Sequence, residues 1–431
     1  MAGERLPMRF HPSLIVNVLV AIAIAIAAAT AVRAESPLPD ALTLGEAVRR
    51  ASEISPLMTA ARGRVDTAVG AMRQAGRLPN PLGEVRVESW DFHADHATPR
   101  WDNVDFFATL TQPLDLGGKR SARVAEATAA RELASFEAER TRHEVILETV
   151  RTYLGALRAR SLLEALNRNR DSLSQIVAIL DRRVAEGWSA EADLLRFRAE
   201  LARAEEALLR IRLEQDRELR LLAALLGEPV PVAPDRLVAP AFPEVPQGEA
   251  DALARSALGR RPEIAAARAR LAQASETARL ERARRIPTVG LTAGYKRSFG
   301  LDTGVAGLSI PLPLFDLNAG NVARAEAEER VAGAQLAALE SRLLAGGAAQ
   351  IVAARELRAL ALSVERDLVG PAEGARDAAT AAFREGASDV LRLVDARRLY
   401  LDARREALDL TAEAILSAAE VRLLLGEEAI P

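Results

Sequence analysis

The stretch LTLGEAVRRASEISPLMTAAR at residues 42–62 has a counterpart, ADALARSALGRRPEIAAAR, at residues 250–268. Pro262 stands in the place of Pro56, and Arg268 stands in the place of Arg62. Three further pairs repeat in the same order: LTQPLDL (110–116) with LSIPLPL (308–314), Glu186-Gly187 with Glu385-Gly386, and Leu226-Gly227 with Leu425-Gly426. A single repeat of this length is typical of a duplicated half-molecule and not of a solenoid of short units.

Each half predicts the same series of elements, namely a helix, two strands and a long helical hairpin. The strands alternate β-branched or aromatic residues with polar ones, which is the strand period, and Val104, Phe106, Ala108 and Leu110 share one face. The expected helices are 42–77, 118–185, a helix that follows the first turn and ends at 226, 251–285, a long helical run that ends at 384, and a last helix that ends near 425. The expected strands are 83–91, 104–114, 287–296 and 304–311. A bend is expected at Gly346-Gly347 and at Gly370-Pro371, since glycine and proline weaken helices.

The helix that follows the first turn carries a heptad-like apolar seam. Its members recur at steps of three and four residues and are Leu194, Phe197, Leu201, Ala204, Leu208 and Ile211. This spacing predicts coiled-coil packing against a neighbouring helix. The seam slips by four residues before Leu219, which would locally unwind the left-handed supercoil. The straightened helices could then pack side by side around a wide tube as well as in pairs.

The N-terminus predicts export. Arg5 and Arg9 precede an apolar run at 14–29, and small residues around Ala34 provide a cleavage site, as in a secretory signal peptide. The chain is therefore divided into a cleaved signal peptide (1–34), a first repeat (35–227), a proline-rich connector (228–248) and a second repeat (249–431). No other apolar run is as long, so no transmembrane helix is expected in the mature chain.

Composition excludes several classes of protein. The chain has no cysteine, which rules out disulfides, thiolate metal sites and cysteine nucleophiles. A net charge of −3 gives no support to nucleic acid as a partner. No nucleophile with an orienting base is found, so the chain is interpreted as a non-enzyme without a cofactor. His93 and His96 lie near carboxylates in the loop between the first two strands, where a solvated loop is favoured over a cation site.

The four strands have lengths suited to crossing a bilayer when tilted. Four strands are too few to close a membrane barrel, and an open sheet in lipid would leave unpaired edges. Several copies of the chain must therefore pool their strands if the sheet lies in a membrane. About half of the aromatic residues beyond the signal peptide lie in or beside the strands. Aromatic girdles at the two membrane interfaces would produce this concentration, and burial of the sheet against helices would produce it as well.

The chain resembles the outer-membrane efflux protein family, the TolC-like channels. The resemblance rests on LTLGEAVRRASEISPLM, on the paired strand motifs, and on the two turns VAEGWSAEADLLR and FREGASDVLRLVDAR. It implies a mainly α fold with a small membrane β-barrel: a homotrimer with a twelve-stranded barrel in the outer membrane of a Gram-negative bacterium and a twelve-helix periplasmic tunnel. The implied partners are a periplasmic adaptor and an inner-membrane pump of the resistance-nodulation-division type. LPNPLGEVRVES and LTQPLDLGGKR look most like the heavy-metal-cation (CzcC-like) subgroup.

The matched positions imply where function lies. The turns at the periplasmic tips are expected to contact the adaptor or pump, through Gly187, Trp188, Ser189, Asp193, Gly386, Ala387 and Ser388. Acidic residues near these turns are candidates for a constriction, namely Asp181, Glu186, Glu191, Asp377, Glu385 and Asp389. Gly370 and Pro371 are the candidate hinge for opening. The main alternative is a periplasmic helical-hairpin adaptor, and the second is a secreted enzyme with a helical body.

Overall fold

The computed structural model describes residues 38–89, 104–388 and 390–427. The chain divides into two units, residues 1–42 and residues 43–431, and the elements below belong to the second. In chain order they are α1 (Leu44–Ile54), α2 (Pro56–Ala75), β1 (Leu82–Glu88), β2 (Asp105–Leu114), α3 (Lys119–Ala185), α4 (Glu191–Leu225), α5 (Ala250–Leu258), α6 (Pro262–Ala283), β3 (Val289–Ser298), β4 (Leu301–Ser309), α7 (Ala319–Val364), α8 (Gly370–Arg384) and α9 (Val390–Leu425). The predicted signal peptide lies outside the described residues.

The first helix of each half is split in two, which corrects the single helices expected at 42–77 and 251–285. Helix α1 begins with a capping box, in which the Thr43 side chain accepts from the Glu46 N–H and Glu46 accepts from the Thr43 N–H. Pro56 opens α2 and Pro262 opens α6. Because proline has no N–H and restricts the residue before it, neither preceding helix continues into the proline: α1 ends at Ile54 and α5 ends at Leu258.

The four strands form one antiparallel sheet in the order β1-β2-β3-β4. Val85 pairs with Ala108, Ala108 pairs with Tyr295, and Tyr295 pairs with Gly304. The middle pair joins strands from the two halves of the sequence. The expected strands agree with the observed ones to within about three residues at each end, and β1 and β4 are the edges.

The long helices form two hairpins, α3–α4 and α7–α9, that pack along each other. Helix α3 has 67 residues, which corresponds to roughly 100 Å. It packs against α4, α6 and α9. Leu194, Phe197, Ala204, Leu208 and Ile211 of the predicted seam are buried, which confirms that this face of α4 packs against neighbouring helices.

The second hairpin is irregular at one of the two positions where a bend was expected. Helix α7 continues through Gly346-Gly347, whereas directly before Gly370-Pro371 the helix widens into a π-helical turn at Glu365–Val369 that leads into α8. The missing N–H of Pro371 leaves the carbonyl four residues earlier without its helical donor, which accounts for the local widening. By length and composition alone, the helix Ala319–Arg384 would pass as a membrane span, at a mean hydropathy of 1.2 over its most apolar stretch. Only 11% of that stretch is buried within one chain.

Candidate functional site

The two hairpins turn with the same backbone geometry. Gly187 has φ 77° and Gly386 has φ 75°, a left-handed conformation in which glycine is unstrained. The N–H of Trp188 donates to the Arg183 carbonyl at 2.7 Å, and the N–H of Ala387 donates to the Ala382 carbonyl at 2.8 Å. These six-residue bonds define the Schellman termination in which a glycine ends a helix. The sequence therefore specified both turns correctly through the repeated Glu-Gly pair.

The two tips pack on one another in the described structure. Phe197 of α4 stacks against Phe383 of α8, with ring centroids 6.4 Å apart and an interplanar angle of 25°. The Arg183 guanidinium lies 5.9 Å from the centroid of the Phe383 ring. Around the two rings lies one buried cluster that draws on both hairpins, comprising Leu173, Ile176, Leu180, Leu194, Ala204, Leu393 and Val394. The tips are consequently joined to each other by apolar packing.

The predicted docking residues lie at the ends of the hairpins. Trp188 is 80% exposed, although a tryptophan in a single folded chain is usually well buried. Asp193 lies in the first turn of α4, where the positive end of the helix dipole favours a carboxylate. The remaining expected contact residues, Ser189, Ala387 and Ser388, occupy the turns themselves. An exposed tryptophan beside a rigid turn is a suitable anchor for another protein.

The predicted constriction residues occupy different environments. Asp181 makes an exposed ion pair with Arg198 across the hairpin, at 2.8 Å. Asp377 accepts from Arg376 at 2.6 Å and lies on α8, away from the turn. Glu186, Glu191 and Glu385 are exposed at the tips, and Asp389 lies outside the described residues. Of the described candidates, Asp181 and Asp377 are bound in two separate ion pairs, and the constriction stays a prediction about an assembly.

The proposed hinge is anchored on one side. Val369 and Ala372 are buried against Tyr400, Ala403 and Ala407 of α9. Glu365 pairs with Arg404 at 3.0 Å, which ties the π-helical turn to the same helix. Gly370 keeps right-handed helical dihedrals, and a methyl group there would meet no atom within 4 Å. The hinge role of Gly370 and Pro371 stays a prediction.

The sheet has two chemically different faces. Side chains that pair across the strands share a face. The register therefore places apolar residues together, namely Val85, Val87, Phe106, Ala108, Leu110, Leu291, Ala293, Tyr295, Ala306 and Leu308. The opposite face carries Glu84, Arg86, Glu88, Thr109, Thr111, Thr292, Lys296 and Thr303. On that polar face, the cations of Arg86 and Lys296 lie 5.7 and 4.8 Å from the centroid of the Phe107 ring.

The apolar face is exposed in a single chain. Val85 is 70% exposed and Leu308 is 64% exposed. An apolar face of this extent on an open sheet indicates contact with lipid or protein. Alternation of an apolar outer face with a polar inner face is the pattern of strands in an outer-membrane barrel.

The described residues contain no group of three or more His, Asp or Glu side chains that could hold a metal ion. His93 and His96, together with the loop in which they were considered, lie outside those residues.

The sequence profile described as "Outer membrane efflux protein" matches the chain twice, at residues 47–228 and 253–427. The chain belongs to the outer membrane efflux protein family. The predicted family is therefore confirmed. An outer-membrane efflux protein is favoured over the alternative of a periplasmic adaptor. This efflux protein is located in the outer membrane and has a long periplasmic extension.

Individual relatives agree with the family. The cobalt-zinc-cadmium resistance protein CzcC of Cupriavidus metallidurans is 28% identical over 372 residues, which cover 83% of this chain and 83% of that protein. Among solved structures, the outer membrane protein VceC of Vibrio cholerae has a TM-score of 0.69 at 27% identity and covers 90% of this chain and 97% of that one. The CmeC outer membrane channel of Campylobacter jejuni has a TM-score of 0.75 at 19% identity, with 90% and 86% covered, which shows that the efflux protein shares its fold.

Two structural features of this efflux protein were not predicted from its sequence. The contact between Phe197 and Phe383 joins residues far apart in sequence, and no pattern within either half indicates it. Arg397 is 6% exposed, although arginine is rarely buried so deeply. A buried arginine could have been suspected from its position between the apolar residues Leu393, Val394 and Leu401 on α9.

Proposed function

We propose that three copies of this efflux protein form a passive duct, with a twelve-stranded barrel in the outer membrane and a twelve-helix tunnel in the periplasm. The observation that carries the proposal is the open sheet. Among the described residues, β1 and β4 have no strand partner on their outer sides, and one face of the sheet is apolar. In lipid, such edges must be paired, and β4 of one copy can pair with β1 of the next.

The helices support the same assembly. Leu209 and Leu213 of α4 are 57% and 63% exposed, and Leu360 and Leu362 of α7 are 47% and 48% exposed. Two α-helices from neighbouring copies would cover these leucines. The apolar stretch of α7 is then a subunit contact and not a membrane span. Family resemblance supplies the number of copies, which is three. Three copies of four strands give twelve strands, and this number lies within the range of closed outer-membrane barrels.

The duct needs no catalytic machinery of its own. We infer that the energy comes from an inner-membrane pump and that an adaptor engages the tips around Gly187 and Gly386. Exposed Trp188 supports this docking site. The similarity to CzcC supports heavy-metal cations as the transported substrate, with a resistance-nodulation-division pump as the partner.

The strand-edge proposal can be tested by disulfide cross-linking. Because the sequence contains no native cysteine, only the introduced cysteines can form disulfides. Val85→Cys on β1 is combined with single cysteines along β4, and oxidised outer membranes are analysed by non-reducing electrophoresis. We expect linked dimers and trimers for at least one β4 position. Val85→Cys with Ala293→Cys on β3 is the control, because β3 is already paired on both sides. Monomers at every β4 position would contradict the assembly.

The docking proposal is tested by a photo-cross-linking amino acid at position 188. Position 299, in the turn between β3 and β4, serves as the control. Phe299 is also strongly exposed, at 71%. We expect position 188 to capture a periplasmic adaptor, identified by mass spectrometry, and position 299 to capture none. Capture of no adaptor at position 188 would contradict docking at this tip.

The substrate proposal is tested in a strain that lacks the gene. We expect lower tolerance to cobalt, zinc and cadmium, restored by the wild-type gene, with unchanged tolerance to organic antibiotics. The reverse result would leave the duct in place and reject metal cations as its substrate.

A further inference from the structure

Arg397 is a buried cation that forms no ion pair with any described residue. It lies on α9 at the junction of the two hairpins, and its side chain is 6% exposed. In the described part of the chain its guanidinium donates only to neutral groups, to Ser172 Oγ and, at 3.5 Å, to Asn169 Oδ1, both on α3. Its Nε is buried without a hydrogen-bond partner. No carboxylate therefore balances this charge within the described chain.

The surroundings of Arg397 make its charge more costly. Burial, together with the nearby cations Arg376 and Arg384, lowers the pKa of Arg397 to about 10. A buried charge with no counter-ion is strongly unfavourable, because its lost hydration is not replaced. An approaching anion would offset this cost, and the groups around Arg397 show where that anion would lie.

A cleft of about 430 Å³ opens beside Arg397 between α3, α8 and α9. Its charged lining consists of Arg168, Arg376 and Arg397, with Glu373 and Asp377. Both carboxylates are already bound to Arg376, at 3.2 and 2.6 Å. Arg168 is exposed at the cleft and makes no ion pair among the described residues. Three arginines and two carboxylates leave the cleft with a net charge of +1, and neither carboxylate forms an ion pair with Arg168 or Arg397.

Neutral donors complete the lining. The cleft also contains Asn169, Ser172 and Tyr400, whose amide and hydroxyl groups can donate to an oxygen, whereas the Thr380 hydroxyl already donates to the Arg376 carbonyl at 2.7 Å. Tyr400 is held in place by Arg376, whose guanidinium carbon lies 4.1 Å from the ring centroid. Guanidinium groups together with hydroxyl donors are the chemistry that recognises phosphate-type oxyanions.

We propose that this cleft binds a small oxyanion of the phosphate type, held by Arg397 and Arg168. The anion would touch α3, α8 and α9, and would link the first hairpin to the second several helical turns from the tips. The site is independent of the substrate that passes through the duct.

The test uses the full-length protein, purified from outer membranes in mild detergent. Inorganic phosphate is titrated by calorimetry against a background of sodium chloride at matched ionic strength. We expect saturable binding to the wild type and binding at least about tenfold weaker to Arg397→Gln, as the loss of a charge-assisted hydrogen bond implies. Arg405→Gln is the matched control, because Arg405 is an exposed arginine on the same helix.

Arg168→Gln provides a second variant at an exposed position, where the substitution leaves the packing unchanged. We expect it to weaken phosphate binding as well, and it decides the matter if Arg397→Gln does not assemble. Equal binding by the wild type and by the available cleft variants would overturn the proposal. Absence of saturable binding to the wild type would overturn it too.

Discussion

Phe197 and Phe383 stack on one another although they come from different halves of the duplicated chain, with ring centroids 6.4 Å apart. Phe197 is completely buried and Phe383 is 4% exposed. The pair lies close to both turns, so it holds the two hairpin tips together. Any movement that separates the tips must therefore break this aromatic contact or carry both rings along.

Replacing Phe383 with alanine should destabilise the tip region by about 3–5 kcal/mol, because a large buried ring is lost and a cavity is left. Part of this cost should depend on Phe197. In a double-mutant cycle with Phe197→Ala, we expect a coupling of about 0.5–1.5 kcal/mol. The measurement is the urea midpoint of the purified protein. Leu195→Ala, at an exposed position on α4, serves as the control and should change little; additive effects of the two phenylalanine changes would contradict the coupling.

Adjacent glycines on α7 should respond in opposite ways to alanine. A methyl group at Gly346 would meet nothing within 4 Å, whereas one at Gly347 would lie 3.0 Å from Arg261 Nη2 and 3.3 Å from Ala254 Cβ. Gly346→Ala should stabilise the helix by roughly 0.5–1 kcal/mol, since alanine loses less backbone entropy. Gly347→Ala should lower the melting temperature, because the buried Arg261 must move. Equal effects at the two positions would contradict the packing role of Gly347.

Gly294 should be required for assembly of the sheet. A methyl group there would collide with the Ala108 carbonyl oxygen and would lie 2.7 Å from Thr109 Cα on the neighbouring strand. Gly294→Ala should therefore disturb the pairing of β2 with β3 and lower the yield of assembled protein in outer membranes. Gly304→Ala on β4 is the control, because a methyl group at Gly304 meets nothing within 4 Å. The yield is measured by fractionation and immunoblotting, and an undiminished yield for Gly294→Ala would refute the close approach.

Tyr153 ties helix α3 to the connector between the halves. Its hydroxyl donates to the Val238 carbonyl at 2.6 Å and accepts from the Val238 N–H at 2.9 Å. Tyr153→Phe should cost about 0.5–1.5 kcal/mol, because the Val238 carbonyl and N–H lose the Tyr153 hydroxyl as their partner. The control is Tyr295→Phe in the sheet, which leaves α3 and the connector untouched.

The Tyr153 contribution should also depend on pH. Burial raises the pKa of Tyr153 from 10.0 to about 12, so the folded state favours the neutral phenol. The stabilising contribution is fully present below about pH 10 and is lost as the pH rises through about 12. The difference in melting temperature between the wild type and Tyr153→Phe should therefore shrink from pH 9 to pH 12. A difference that stays constant over this range would contradict the assignment.

The elements with a strong local signal were predicted well. The strand alternation placed Val104, Phe106, Ala108 and Leu110 on one face, and the register puts Phe106, Ala108 and Leu110 on the apolar side. The turns at Gly187 and Gly386 were predicted because a left-handed residue at a helix end favours glycine whatever its surroundings. The single helices across Pro56 and Pro262 were predicted wrongly, although the rule that proline begins a helix was available in the sequence.

The sequence alone determined what depends on near neighbours along the chain: the strands, the two turns, the long helices and their duplication. These follow from backbone geometry and from the spacing of apolar residues, which act over a few positions. Only the tertiary structure decided that Phe197 meets Phe383, that the sheet joins the halves through β2 and β3, and that Arg397 is buried without a carboxylate. Those relationships join residues distant in sequence, and their stability depends on the surfaces and charges that folding brings into contact.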